Sequence, residues 1–515
     1  MRRRQARPPY VLGIDVGTQS LRAGIFDLAG HPVVFADRAL AIAYPEPGRA
    51  EQRPEDWWDA LVAAVGRCLS EAGIRPEEIV GISVDGSCSN APVDAAGRPL
   101  GPALLWMDIR ARAEAAQVTA TKHAALRYAG GEESAEWPLP KALWLKTHQP
   151  GVFDRAAYLM ESTNWLIFRL TGEPTLPLNS AACKWHYLAN EGGWPVDLFA
   201  TLGATDVLAK LPTRVLRMGE KAGELTPEAA STLGLKAGTA VGQGGIDAYT
   251  GMIGLDVVAP GKLALVMGSS TCQLTLSSEA IFNPGVWGPF PEAVTPGLFA
   301  IEGGQASTGS VVRWLIENFG GGEEKKAAEA GQSLYAWLDA RAAEVGPGAE
   351  GLVVLDYWQG NRTPLRDPLA RGTVSGLTLR HGFSHLLRAV YEGTAFGNRH
   401  ILESLREHGV DVAQVYACGG GTRSALWLQI HADVGQTPIY LTEVPDAVAL
   451  GTAICGAVAA GAYPSLAGAA KEMVHVATEV APDPTKRDVY DFYYDKYLRT
   501  YRGLRDVMHE VARSV

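Results

Sequence analysis

Val11 to Val16 is apolar except for Asp15. Gly17-Thr18-Gln19-Ser20 interrupts it, and Leu21 to Phe26 resumes the apolar character around Arg22. An apolar run, a glycine turn carrying small hydroxyls and a second apolar run predict a β-hairpin. Leu263 to Met267, Gly268-Ser269-Ser270-Thr271 and Cys272 to Leu276 repeat the pattern. Gly17 aligns with Gly268, Thr18 with Ser269 and Ser20 with Thr271, while Asp15 falls opposite Val266. A duplicated phosphate-gripping turn with a single carboxylate is what an ATP-dependent phosphotransferase on two domains needs.

The surrounding pattern extends both copies. Residues 10–44 read as three strands, with a second turn at Asp27-Leu28-Ala29-Gly30. Trp57, Leu61, Val65 and Leu69 recur every four residues and predict a helix over 54–72. Ile79 to Asp85 is another apolar strand. The same order is expected from Lys262 onward: the hairpin at 262–276, a helix at 308–319 and a strand at 351–355. A long helix covers 385–408, and Val415 to Cys418 is a strand entering a glycine turn. Strands alternating with helices predict α/β layers with helices on the sheet faces. Gly251, Gly254, Pro260 and Gly261 have the composition of a hinge, which divides the chain into domains at 10–255 and 256–480. Residues 320–350 read as an exposed helical insertion. Residues 481–515 read as a helical tail whose stripe of Tyr490, Phe492, Tyr493, Tyr497 and Tyr501 belongs to a core.

Composition narrows the function. The chain has 515 residues, too many for one ordinary core. Its net charge of −10 argues against nucleic acid as a partner. Six scattered cysteines without a C-x-x-C suit a reduced cytoplasm, not a disulfide framework or zinc site. Residues 1–7 are basic and no apolar stretch precedes Val11, so they read as an unstructured start and a poor signal peptide. Ala447 to Ala470 carries no charge, but its alanines, glycines and Pro464 suit a buried helix and loop, not a membrane span.

No G-x-x-x-x-G-K-[ST] motif is present, and a G-x-G-x-x-G at Gly346, Gly348 and Gly351 lies between a helix and a strand, the reverse of a dinucleotide site. Asp15 ends an apolar strand, where Asp is disfavoured. It is either a turn-capping carboxylate or a Mg²⁺ ligand facing phosphates held by the amides of residues 17–20. Asp247 opens a small-residue helix, where a helix cap and a general base for a substrate hydroxyl are compatible readings. A helix N-terminus would keep it ionised at neutral pH. Gly419-Gly420-Gly421, within Cys418 to Ser424, would let a base or ribose lie against the backbone. Trp106, Asp108 and Arg110 suit either a polyol or a surface salt bridge beside a core tryptophan. Lys184 with Trp185 is equally ambiguous, and Glu302 at a strand end suggests a hydroxyl ligand. The eleven histidines show no metal-ligand spacing.

These motifs together resemble the FGGY family of carbohydrate kinases, within the actin, hexokinase and Hsp70 superfamily. The carrying residues include Gly372, Val374, Gly376 and Leu377, then His385-Leu386 and Ala389-Val390-Tyr391-Glu392. Pro138, Lys141, Trp144 and Leu145 fit a second signature, with Ala142 where a larger apolar residue is usual. Within the family, Cys183-Lys184-Trp185, Pro284 to Pro289, Glu302 to Gln305 and Gly360 to Pro364 are most similar to the D-ribulose kinase branch. The resemblance implies an α/β fold of two ribonuclease H-like, actin-like ATPase domains around a central cleft. It implies ATP and Mg²⁺, a small sugar substrate, no nucleic acid or membrane partner, and is compatible with a homodimer. It assigns Ser87, Asp108, Lys184, Asp247 and Glu302 to the sugar, with Asp247 as base and Asp15 at the metal. Thr18, Gln19, Ser20, Arg22, Gly268, Ser269, Ser270, Thr271, Gly419, Gly420, Gly421 and Ser424 fall to the nucleotide. L-ribulose, D-xylulose, ribitol and erythritol are alternative substrates. A nucleotide-gated binding protein on the same scaffold is the rival from a different class.

Overall fold

The structure, a computed structural model, describes residues 6–514, so residues 1–5 of the expected basic start lie outside it. Strands Tyr10–Val16 and Ser20–Asp27 form the first hairpin, with Pro32–Ala39 beside it. Gly261–Met267 and Thr271–Ser277 form the second, with Phe299–Gln305 beside it. Both turns are tight at their glycine: a Cβ at Gly17 would lie 3.2 Å from Ser20 O, and one at Gly268 would lie 3.3 Å from Ser270 O.

Each hairpin belongs to a larger mixed sheet. The first has six strands, in the order Lys221–Glu224, Ala240–Ile246, Ile79–Gly86, Tyr10–Val16, Ser20–Asp27, Pro32–Ala39. The second has seven, in the order Trp287–Pro291, Phe299–Gln305, Thr271–Ser277, Gly261–Met267, Val412–Cys418, Ile439–Thr442, Val476–Val480. Both hairpins gain a parallel neighbour, Ile79–Gly86 in one and Val412–Cys418 in the other. The recurrence expected from the sequence therefore holds in the sheets, but a different strand, Val412–Cys418, takes the parallel place. Val353–Leu355, expected as the equivalent of Ile79–Gly86, pairs only with Thr373–Ser375 in a separate ribbon. Three residues are too few for a central strand, and an apolar run alone does not name its partner.

Helix Pro54–Ala72 buries Trp57, Leu61 and Val65 and ends at Gly73, whose left-handed backbone (φ 63°) lets its N–H reach Leu69 O. Residues 320–350 fold as helices Glu323–Glu329 and Leu334–Ala343. They are more than an exposed insertion. Leu338 and Ala342, four residues apart, enter the second core, and Asp339 accepts bonds from Ser424 Oγ and from Leu426 N–H. The terminal helix Arg487–Ala512 sends Tyr490, Tyr494 and Tyr497 into that core, while Phe492 stays exposed.

The two halves interlock through glycine. Helix Ala447–Ala459, late in the chain, lies on the first sheet and against helix Asp247–Gly254. Cβ atoms at Gly13 and Gly81 would sit 2.2 Å from Ala449 O and Gly456 O, and one at Gly254 would sit 1.8 Å from Ala447 O. The glycines at 251 and 254, which read as a hinge, lie inside a helix; Gly254 is required because a neighbouring backbone fills the space. Among the described residues no helix is long and apolar enough to cross a membrane.

Candidate active site

Three parallel strands of the first sheet end level with one another. Val16 and Ile246 are both register partners of Gly86, and Asp15 pairs with Asp85. The strand ends thus bring Asp15, Asp85, Ser87 and Asp247 to one edge, the usual place for a ligand in an open α/β sheet. The second sheet presents Gly268 and Gly419 at its own parallel strand ends, after Met267 and Cys418.

Asp247 is the first residue of its helix, and Ile246 holds the capping position. Its Oδ1 accepts 2.6 Å from the Ala248 N–H, and among the described residues no donor reaches Oδ2. Burial raises the Asp247 pKa, opposed by the Ala248 amide and by Lys184. The helix terminus therefore works against a desolvation cost that the sequence did not show. Lys184 Nζ lies 3.9 Å from Glu302 Oε2, with these side chains 12% and 18% exposed. Burial is the largest single influence and works against the lysine's charge, but Glu302, Cys88, Cys183 and Glu136 together outweigh it and the pKa stands above the ordinary lysine value. Lys184 also sits over the Trp137 ring at 5.1 Å. The sugar-side trio of Asp247, Lys184 and Glu302 is thus brought together from a helix start, a helix end and a strand of the other sheet.

Asp15 is crowded by carboxylates. Burial, Asp247 and Asp446 push its pKa up to about 7, against a hydrogen bond from Asp85 and the charge of Arg22. Asp85 is fully buried, and burial and then Asp15 hold its pKa well above the carboxylate range. Asp85 Oδ1 meets no donor, while its Oδ2 accepts from Thr452. Arg22, strand partner of Asp15, is committed to Asp446 at the start of helix Ala447–Ala459. Among the described residues no three His, Cys, Asp or Glu side chains converge as a ready-made metal cage.

A cavity of about 310 Å³ opens beside the second hairpin, lined by Gly268, Ser269, Gly309, Tyr335, Gly420 and Trp427 among others. Backbone shapes it. A Cβ at Gly309 would lie 2.4 Å from Gly268 O, and one at Gly421 would lie 2.8 Å from the Met267 side chain. Gly420 has open space, its nearest neighbour being the Tyr335 hydroxyl at 3.7 Å.

Several expected residues are otherwise engaged. Asp108 is fully buried, accepting from Ala50 N–H at 2.7 Å and from Arg110 through both oxygens, so both of its oxygens are already engaged. The surrounding pattern is the reverse of a surface bridge beside a core tryptophan: the ion pair is buried, and Trp106 is half-exposed, donating to Thr18 Oγ1. Ser424 is a helix cap, accepting from Trp427 N–H and donating to Asp339. Thr271 is buried against Thr308, whereas Ser269, Ser270, Gln19 and Ser20 remain at least partly accessible. Ser87 follows Gly86 with its hydroxyl uncommitted among the described residues. Sequence reasoning missed Asp85, which ends an apolar strand just as Asp15 does. It also missed Asp446 and Glu161, a buried carboxylate held by Ser180 and Trp185.

Comparison with known proteins agrees with this geometry. Residues 10–254 match the N-terminal domain and 263–460 the C-terminal domain of the FGGY family of carbohydrate kinases. A ribulokinase from Geobacillus thermodenitrificans is 35% identical, covering 97% of this chain and 96% of its own. A human FGGY carbohydrate kinase domain-containing protein is 33% identical, with 95% and 96% covered. The crystal structure of xylulose kinase from Rhodospirillum rubrum superposes with a TM-score of 0.84 at 32% identity, covering 97% of this chain and all of that one. The two interlocked sheets, the acid-lined strand ends and the glycine-walled cavity are those of a sugar kinase, and the chain belongs to the FGGY family of carbohydrate kinases.

Proposed function

We propose that the protein transfers the γ-phosphoryl group of ATP to the terminal hydroxyl of a ketopentose, converting D-ribulose to D-ribulose 5-phosphate. The observation that carries this reading is the Asp247 carboxyl, whose Oδ2 meets no donor among the described residues and whose charge is felt by Asp15 on one side while Lys184 and Glu302 act on it from the other. Relatives named ribulokinase support a pentulose, and the D-ribulose-like segments noted in the sequence support the sugar.

Asp247 accepts the proton of the sugar hydroxyl as that oxygen bonds to the γ-phosphorus. The bond from phosphorus to the β–γ bridging oxygen breaks and ADP leaves. Lys184 and Glu302 bind the sugar's other hydroxyls and orient the reacting one, while hairpin amides near Gly17 and Gly268 face the phosphates. A divalent cation bound with ATP supplies neutralisation of phosphate charge. Asp15 fits that ion, since it is crowded by Asp247 and Asp446 while Arg22 is already paired.

An ADP-release assay across D-ribulose, L-ribulose, D-xylulose, ribitol and erythritol tests the reading. D-ribulose is expected to give the highest kcat/KM. A preference for another sugar replaces the substrate, and stimulation by none overturns the kinase reading in favour of a nucleotide-gated binder. Asp247→Ala is expected to lower kcat by at least about 10²-fold with the fold intact.

A further inference from the structure

Tyr249 lies two residues beyond Asp247 on the first turn of helix Asp247–Gly254 and is buried. Positions two apart on a helix point to opposite sides, so the ring cannot follow Asp247 into the cleft. Its hydroxyl instead donates to Glu302 Oε2 at 2.8 Å, on a strand of the other sheet. Lys184 approaches the same oxygen at 3.9 Å, beyond hydrogen-bonding distance. Among the described residues Tyr249 is the one direct donor to the Glu302 carboxylate, and no donor reaches Oε1.

One oxygen is therefore held and the other is left open. A glutamate side chain has three rotatable bonds, and holding it costs conformational entropy. Without the tyrosine hydroxyl, Glu302 is free to turn toward Lys184 and close the ion pair. Cys183, the residue before Lys184, packs in the same apolar cluster as the Tyr249 ring. The phenol hydroxyl thus joins the base helix to the opposite sheet. Phenylalanine would fill the apolar core equally; the hydroxyl adds only the contact to Glu302.

We propose that Tyr249 is a positioning residue that fixes Glu302 so that Oε1 accepts a sugar hydroxyl, thereby setting sugar affinity from beneath the catalytic helix. This rests on the sugar-kinase reading above and specifies how its acceptor site is held.

The test is Tyr249→Phe in the full-length protein, by steady-state kinetics with whichever ketose the wild type turns over best. Sugar KM is expected to rise about tenfold, with kcat within about threefold and ATP KM within about twofold. Glu302→Gln is expected to raise sugar KM at least as much, and the double variant little further, since both act through one carboxylate. An unchanged sugar KM in Tyr249→Phe, or full additivity with Glu302→Gln, overturns the role. So does a parallel rise in both KM values with a lowered melting temperature, which marks a merely structural residue. If Tyr249→Phe does not fold, Tyr249→His, a smaller ring that still donates, decides: sugar KM within about threefold of wild type supports the role, and a rise matching Glu302→Gln overturns it. A wild type that phosphorylates no sugar defeats the proposed function; an active wild type with an indifferent Tyr249→Phe defeats only this inference.

Discussion

The two ends of the cleft are built from different materials. At the proposed sugar end, charged side chains converge from distant segments: Lys184 approaches Glu302, both bear on the Asp247 carboxyl, and buried Tyr249 donates to Glu302 from behind. At the proposed nucleotide end, the walls are backbone, brought close at Gly268, Gly309 and Gly421 where a side chain would collide. Side chains can discriminate one hydroxyl pattern from another, because each unmatched polar group carries a desolvation penalty. Amide-lined turns receive a phosphate chain common to every turnover and need shape more than choice. Substrate preference should therefore respond to substitutions at one end and nucleotide affinity to those at the other.

Four experiments separate the ends, from the largest effect down. Lys184→Met leaves Glu302 without its cation and is expected to lower kcat/KM for the sugar by about 10²-fold while ATP KM stays within about threefold. Equal losses for both substrates would dissolve the distinction. Gly309→Ala places a methyl against Gly268 O and is expected to raise ATP KM about tenfold, leaving sugar KM nearly unchanged. The third is a pH profile. If Asp247 is the base, it acts only when ionised, and burial raises its pKa, so kcat/KM is expected to fall on acidification with a midpoint above the ordinary aspartate range. Because Lys184 lowers that pKa, Lys184→Met moves the acid limb to higher pH; a limb that stays or moves down contradicts the pairing. The smallest effect belongs to Arg22→Gln. Arg22 is 44% exposed, and losing its contact to Asp446 is expected to cost under about 1 kcal/mol in denaturant unfolding.

The same contrast explains what the sequence disclosed. Glycine turns are local, so both hairpins and the turn after Cys418 were legible in order and spacing. Asp15 and Glu302 stood out as acids at the ends of apolar runs and Asp247 as the acid opening a small-residue helix, and Lys184 gained its meaning from the family resemblance. Tyr249 did not stand out, because a tyrosine in an apolar helix reads as core and its partner is 53 residues away. Asp85 satisfied the criterion that marked Asp15, and only its register against Asp15 reveals the pair. Ser424 and Asp108 err in the other direction. Each has a functional neighbourhood in sequence, but its polar atoms are spent on a helix cap and a buried arginine. The strand equivalent to Ile79–Gly86 was misplaced for a related reason: crossover length is set by the intervening helices, not by the strand itself.

The late helix Ala447–Ala459 has a consequence for how the molecule is made. It is synthesised roughly two hundred residues after the last strand of the sheet it covers. Until it emerges, the glycine-studded face carrying Gly13, Gly81 and Gly242 has no cover, and small residues there offer little to bury by themselves. The nascent first half should wait on the ribosome as an incomplete, chaperone-dependent body, and a chain truncated at 254 is expected to aggregate more readily than the full chain under the same conditions. Birth order and assembly order thus run opposite ways: the beginning of the polypeptide is finished by its end.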